Sequence, residues 1–429
     1  MLRRPSTSRA ALLLAALCAI APCSALCATR DVIDRLATLI ENNYFDADKA
    51  ADTARKLRAA ERAGEFSAIT DPRDLAAALT ARLKPVDQHF NVTWVRTVPQ
   101  PRQLTEASPQ SFSRRAPLGF RSVELLPGGL GYIDLRFFPY IDFKNPNDHA
   151  RLAADAALQM TADASAVILD LRNNGGGWPE MVGYLVSAFV PADADVYNVV
   201  HRRDGTESER PAQPYHTQRT DVPLFVLVSG GTASAAESAA YTLQAAKRAL
   251  VIGERTLGAA NPGGEFPIGE GFNAFISTGT PLNPITGTNW ERVGVKPDIE
   301  VDAQKALMRA QTLALEDLLA KQPDATDVQW ALEALHAESK PQPSVPTRDY
   351  VGAYAGATIT ASGNVLQLRR DRRLPLTLVR LREDSFFVDG DPLRRVSFER
   401  DARGKVRGFQ LLRANGPAAW HPRERSHGE

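Results

Sequence analysis

From Asp31 to Leu83 the apolar positions recur at helical spacing, first Val32, Leu36, Leu39 and Ile40, then Leu75, Leu79 and Leu83. Residues three or four apart line one face of a helix, so residues 31–85 are expected to form an N-terminal helical domain that ends at Pro85. Further along the pattern changes to short apolar runs, Gly131–Phe137, Ala166–Leu171 and Leu224–Ser229, with helical stretches after Pro179 and after Ser234. Strands that alternate with helices predict an α/β layer architecture over residues 86–305. Residues 306–346 read as a helical segment and a linker closing on Pro341, Pro343 and Pro346. Beyond it, Val365–Leu368, Leu376–Leu381, Ser385–Val388 and Phe409–Leu412 are short alternating segments, which predict an antiparallel β module over residues 347–429. Residues 97–118, with Pro99, Pro101, Pro109 and Pro117 and few apolar side chains, read as a linker or an exposed flap. No internal repeat or low-complexity tract interrupts this order.

Composition refines the picture at the N-terminus. Arg3, Arg4 and Arg9 precede an apolar run from Ala10 to Pro22 and small residues at Cys23-Ser24-Ala25, the layout of a secretory signal peptide over residues 1–25. The run is shorter than the roughly 20 residues that cross a bilayer, so a cleaved leader and a periplasmic or secreted location are expected. The three cysteines, Cys18, Cys23 and Cys27, all lie in or beside this leader, and the mature chain is expected to lack disulfides. Removing residues 1–25 takes away three arginines and no acid, which moves the formal charge from +1 to −2. Neither nucleic acid nor an anionic membrane is suggested as a partner. The excess of Lys and Arg over Asp and Glu in residues 341–429, 16 against 10, fits solvated strand edges as well as an acidic partner.

Two segments carry candidate chemistry. In PLFVLVSGGTASAAESAAYTLQAAKRA a buried strand and a glycine turn bring Ser234 to the start of a helix. Unpaired amides there favour developing negative charge, although a serine at that place also serves as a plain N-cap. In AVILDLRNNGGGWPE a second strand ends in Asn173, Asn174 and three glycines before a proline-started helix. Such a turn points backbone amides at a ligand; the Lys-Ser/Thr ending of a phosphate loop is missing. A serine nucleophile needs a base and a group to orient that base. Among the seven histidines, His89 lies where the helical region passes into an extended run, and His149 reads as a surface turn. His201, His216, His336, His421 and His427 lie in polar or arginine-rich surroundings, and composition does not select among the seven. Glu291, in TGTNWERVGVKPDIEV, is a candidate third group, while Glu237 reads as part of a helix's first turn. No His-Glu-x-x-His pattern, Cys-x-x-Cys pair or carboxylate loop supports a metal site.

Taken together, GYIDLRFF, ILDLRNNGGG, VLVSGGTASAAE, VIGERTLGAA and NWERVGVKPDIEV occur in the order of the carboxyl-terminal-processing and tricorn-core peptidases, a family that includes interphotoreceptor retinoid-binding protein. The chain resembles this family over about residues 31–305. The resemblance implies an α/β core of crotonase/ClpP-like type and makes Ser234 the nucleophile. One branch of the family places a lysine base after the Gly-Glu-Lys/Arg-Thr-x-Gly block; here that block continues Gly258-Ala259-Ala260, so a Ser-Lys dyad is not expected. The tricorn-like branch instead implies His89 as base and Glu291 as its partner, and the serine that precedes the tricorn histidine is Gln88 here. The same resemblance implies an oxyanion hole from the amides of Ala235 and of Gly176 or, second, Gly175. The 35 or so residues between Thr93 and Leu130 are too few for the PDZ module of many processing peptidases. The β module is similar to one appended to some exported β-lactamase-like hydrolases. The expectation is an exported serine peptidase that cleaves peptides or proteins through an acyl-enzyme, without cofactor, metal or nucleic acid. A ligand-binding relative of the same fold, or an esterase or amidase, is the alternative.

Overall fold

The computed structural model describes residues 21–96, 118–340 and 346–424, with side chains from Thr29 onward. The expected leader up to residue 20, the Pro99–Pro117 stretch, Pro341, Pro343 and His427 lie outside the described residues. The chain divides into two compact units, one of residues up to Phe112 with Tyr197–Glu209 and Ala259–Arg292, the other of the remainder.

In the first unit, helices span Ala21–Asn43, Ala47–Arg62 and Pro72–Leu83. Asp46 and Asp71 begin the second and third by accepting hydrogen bonds from Lys49 N and Arg73 N, and Pro72 occupies a first-turn position that needs no donor. Val32, Ile33, Leu36, Ala37 and Ile40 form the buried stripe of the first helix and meet Leu57, Leu75 and Leu79. The second helix carries only Ala50, Thr53, Ala54, Leu57 and Ala60 on its buried face. This core is completed by strands: Asn91–Trp94 pairs antiparallel with Phe272–Ser277, which pairs with Gly263–Gly269, and Phe272, Ala274 and Ile276 point into the same cluster. A second small sheet orders Thr280–Leu282, Val199–His201 and Thr206–Ser208.

The second unit contains a six-stranded sheet in the order Ile299–Glu300, Leu250–Gly253, Leu224–Val228, Ala166–Asp170, Leu130–Leu135, Phe120–Leu126. All neighbours are parallel except the last pair. Ala166–Asp170 and Leu224–Val228 are buried along their whole length. That is the pattern of parallel strands covered on both faces, and it explains why they read as unbroken apolar runs. Alternate residues Leu130, Tyr132, Ala166, Ile168, Phe225, Leu227 and Ile252 pack with Ala306, Ala310, Ala314 and Leu315 of the helix Ala303–Lys321. The helices Pro179–Ser187 and Ala235–Ala245 pack against each other.

Also in this unit, eight strands from Gly352–Tyr354 to Gly416–Pro422 form an antiparallel meander, each paired with its predecessor. Ala355 N donates to Pro422 O and Glu424 N to Ala353 O, which joins the first strand to the last and closes the sheet into a near-barrel. Tyr350, Tyr354, Phe386, Phe398 and Phe409 fill its interior. His421, which the sequence places in polar surroundings, is 7% exposed and stacked on Phe409, with Nδ1 2.7 Å from Ala355 O. The register pairs His421 with Phe409 across two strands, so both rings face inward.

Candidate active site

In the second unit the strand Leu224–Val228 leads through Ser229, Gly230 and Gly231 to Ser234, the residue before the helix Ala235–Ala245. Ser234 is exposed and has φ 54° and ψ −122°, a conformation L-residues rarely hold. Such strain persists only where surrounding bonds over-determine it. Here they come from both sides. Thr232, fully buried, donates from Oγ1 to Leu171 O at 2.8 Å and accepts from Ser229 N at 2.9 Å. Glu237, also fully buried, accepts from Ser234 N at 2.9 Å through Oε2. Its Oε1 accepts from Gly258 N at 2.7 Å and from the Thr256 hydroxyl. Glu237 thus does more than complement the helix's first turn, the role its position suggested: it ties the serine's backbone to the Thr256–Gly258 segment.

The glycine turn lies against this serine. Asn174 is fully buried and donates from Nδ2 to Leu135 O at 2.9 Å, while its backbone carbonyl accepts from Ala233 N at 3.1 Å. A Cβ on Gly176 would stand 2.7 Å from Ser234 Cβ, and one on Gly177 2.0 Å from Phe138 O, so both close approaches require glycine. One expectation needs correction. The Gly176 N–H donates to Asn174 Oδ1 at 2.9 Å and is therefore not free to face an oxyanion. Gly175, the second choice, has open space above its Cα and no hydrogen bond at its N–H among the described residues. The amide of Ala235, in the first turn of its helix, is the other available donor.

In the first unit, His89 follows the helix Pro72–Leu83 by one short turn. Asp87 is 1% exposed; its Oδ1 accepts from His89 N at 2.9 Å and lies 2.8 Å from His89 Nδ1. Its Oδ2 accepts from Asn261 Nδ2 at 3.2 Å. Burial alone would raise the Asp87 pKa, but the hydrogen bonds from the His89 ring and backbone and the nearby imidazole charge outweigh it and hold the carboxyl at about 2. Behind it, burial and this carboxylate push the Tyr44 hydroxyl well above the ordinary phenol range. Glu291 is the third member of the group. Its Oε2 accepts from Ala260 N at 2.8 Å and Asn261 N at 3.3 Å, and its Oε1 is 3.8 Å from His89 Nδ1. Burial raises the Glu291 pKa, with the amides of Ala260 and Asn261 and the His89 charge opposing the shift.

Asp87, His89 and Glu291 offer donor atoms within 4.8 Å of one another. The facing of Nδ1 and Asp87 Oδ1 is the geometry of a hydrogen-bonded pair, and it uses the atoms a metal would need. Of the residues the sequence singled out, the structure thus brings His89 and Glu291 together in one unit and Ser234, Ala235, Gly175 and Gly176 together in the other. Asp87 was missed. Its signal is local: an Asp two residues before a His can bond both the backbone N–H and the ring of that residue.

Comparisons with known proteins agree with this arrangement of motifs. Residues 129–301 match the model of peptidase family S41, and residues 23–121 match that of the N-terminal domain of Peptidase_S41 in eukaryotic IRBP. The chain is 28% identical over 225 residues to the chloroplastic C-terminal processing peptidase of Tetradesmus obliquus, covering 49% of this chain and 43% of that protein. It is 32% identical over 194 residues to the carboxyl-terminal-processing protease of a Synechocystis strain, covering 45% of this chain and 42% of that protein. The chain therefore spans less than half the length of these curated relatives. Among solved structures, the photosystem II D1 C-terminal processing protease matches with a TM-score of 0.42 and 18% identity, over 64% of this chain and 94% of that one. The chain thus carries a peptidase family S41 domain over residues 129–301 and, over residues 23–121, a domain similar to the N-terminal domain of Peptidase_S41 in eukaryotic IRBP.

Proposed function

We propose that this chain is a serine peptidase that cleaves peptides or proteins through an acyl-enzyme, with Ser234 as nucleophile and His89 as base. The observation that carries the reading is the backbone of Ser234, an exposed serine held at φ 54° at a helix start by fully buried Glu237 and Thr232. A serine that only caps a helix has no need of that conformation, because N-caps lie in the extended region. In the proposed reaction His89 accepts the Ser234 proton at Nε2 as Oγ attacks the scissile carbonyl. The amides of Ala235 and Gly175 receive the oxyanion, and His89 returns the proton to the departing amine. Water then repeats the sequence on the acyl-enzyme. Substrates are proposed from the names of the relatives, which process carboxyl termini. The βα crossovers of the six-stranded sheet support a crotonase/ClpP-like core, and the arginine-then-apolar residues 1–25 support export.

The test is labelling by a fluorophosphonate with the modified residue mapped by mass spectrometry. Modification at Ser234, lost in Ser234→Ala and slowed at least about 10²-fold in His89→Ala, is the expected result. Full labelling of Ser234→Ala overturns the assignment, and a folded chain that takes no label is a binding relative instead.

A further inference from the structure

Family resemblance gives the orienting role beside His89 to Glu291, yet the geometry points elsewhere. We propose that Asp87 is the group that orients His89, and that Glu291 acts one step further out by shaping the loop that holds Asp87. The inference rests on the reading of His89 as base.

Three observations carry it. Asp87 Oδ1 is 2.8 Å from His89 Nδ1, a normal hydrogen bond, whereas Glu291 Oε1 is 3.8 Å away, beyond one. The same Asp87 oxygen accepts the His89 backbone N–H at 2.9 Å, so ring and main chain are fixed by one acceptor. Glu291 spends its other oxygen on the amides of Ala260 and Asn261, and Asn261 in turn donates its side-chain amide to Asp87 Oδ2. The path therefore runs from Glu291 through Asn261 and Asp87 to His89, with Glu291 a positioning residue and Asp87 the partner of the base.

The chemistry follows from the tautomer. A carboxylate at Nδ1 holds the proton there and leaves the Nε2 lone pair to accept a proton; once it has, the carboxylate stabilises the imidazolium. Gln88, which stands where tricorn has a serine, then needs no relay role, because the acceptor is one residue further back. The charged and titratable groups around the pair are Asp87 and Glu291 beside the ring, Tyr44 behind Asp87, and Arg292, whose guanidinium donates to Pro85 O and Val86 O.

The experiment uses the full chain with ¹⁵N-labelled histidine, read by NMR, together with the pH dependence of fluorophosphonate labelling. Wild type is expected to show a far-downfield Nδ1 proton assigned to His89 by its loss in His89→Ala. Glu291→Gln should keep that resonance and lose no more than about 10-fold in labelling rate. Asp87→Asn should lose the resonance, label about 10²- to 10⁴-fold more slowly and move the acid limb to lower pH, since removing a negative charge makes imidazolium easier to deprotonate. A resonance that survives in Asp87→Asn, or one that vanishes in Glu291→Gln with the larger shift of the acid limb, overturns the proposal. If Asp87→Asn does not fold, wild type and Glu291→Gln still decide between the two acids. Absence of any label on wild type would count against the catalytic reading, while the resonance would still report on the Asp87–His89 pair.

Discussion

Glu237 shows how one buried side chain sets the conformation of another residue. It is fully buried and joins Ser234 N to Gly258 N and the Thr256 hydroxyl, so the strained serine is braced by a carboxylate with bonds on both oxygens. Replacing it with Gln turns one accepting oxygen into a donor, which must face either the Ser234 amide or the Thr256–Gly258 donors. Labelling at Ser234 is expected to slow by about 10- to 10²-fold while the circular dichroism spectrum stays unchanged. A rate equal to wild type would show that the brace is dispensable. At this scale the sequence exposed Ser234 through its glycine turn, and His89 and Glu291 through resemblance to a family. It did not show which atom answers which. The choice between Gly175 and Gly176 depends on where Asn174 Oδ1 points, which leaves no mark in the order of residues; the Asp-x-His spacing at Asp87 permits its contact with the ring but does not show which rotamer His89 takes.

Elements were legible in proportion to how many large apolar side chains they bury. The strands Ala166–Asp170 and Leu224–Val228 are buried throughout and stood out as apolar runs, and the helix Pro72–Leu83 shows its stripe plainly. The helix Ala47–Arg62 gave a faint signal because its buried face is mostly alanine. Gly263–Gly269 and Phe272–Ser277 gave none, since the first strand contains four glycines or prolines among seven residues and depends on its partner for order. In the C-terminal module, four of eight strands were read; Asp391–Arg400 was hidden by its charges, one of which is buried for a reason. Arg395 on that strand is 4% exposed, lies 4.2 Å above the Trp330 ring and donates to Glu333 Oε2 at 2.7 Å, both on the helix Thr326–Ser339. Glu333 is partly solvated, which limits the cost of leaving it alone. Arg395→Ala is expected to lose about 1–3 kcal/mol, through lost packing on Trp330 as well as lost charge. Urea unfolding measures it, and a midpoint unchanged from wild type would mean the helix docks on the module without this contact.

For the whole molecule the pH dependence of stability is set by carboxyls moved in opposite directions. Asp87 is held at about 2 against an ordinary value of 3.8. Asp170 and Asp384 are also lowered: burial would raise each, but hydrogen bonds from Arg172 with Tyr132, and from Arg400 with Tyr350, outweigh it. A carboxyl lowered by folding stabilises the chain fully above its unfolded pKa and loses that contribution as pH falls through the folded one. For Asp87 the window is about pH 4 down to 2, and the contribution is on the order of 2 kcal/mol at about 1.4 kcal/mol per unit. Glu291 and Glu338 run the other way, raised chiefly by burial from 4.5, so each costs stability as pH rises through and above that value. The midpoint of urea unfolding is therefore expected to fall as pH drops below about 4, and to fall also as pH rises above 4.5 and the two glutamates ionise. The two compact units hold different members of this set, Asp87 and Glu291 in the first, Asp170, Glu338 and Asp384 in the second. Asp87→Asn should flatten the acid limb for signals from the first unit, such as Trp94 fluorescence, and leave signals from the barrel on their original course. If Asp87→Asn leaves the acid limb of the first unit as steep as in wild type, Asp87 is not the group whose protonation unfolds it, and the charge on the carboxylate beside His89 is not held by folding.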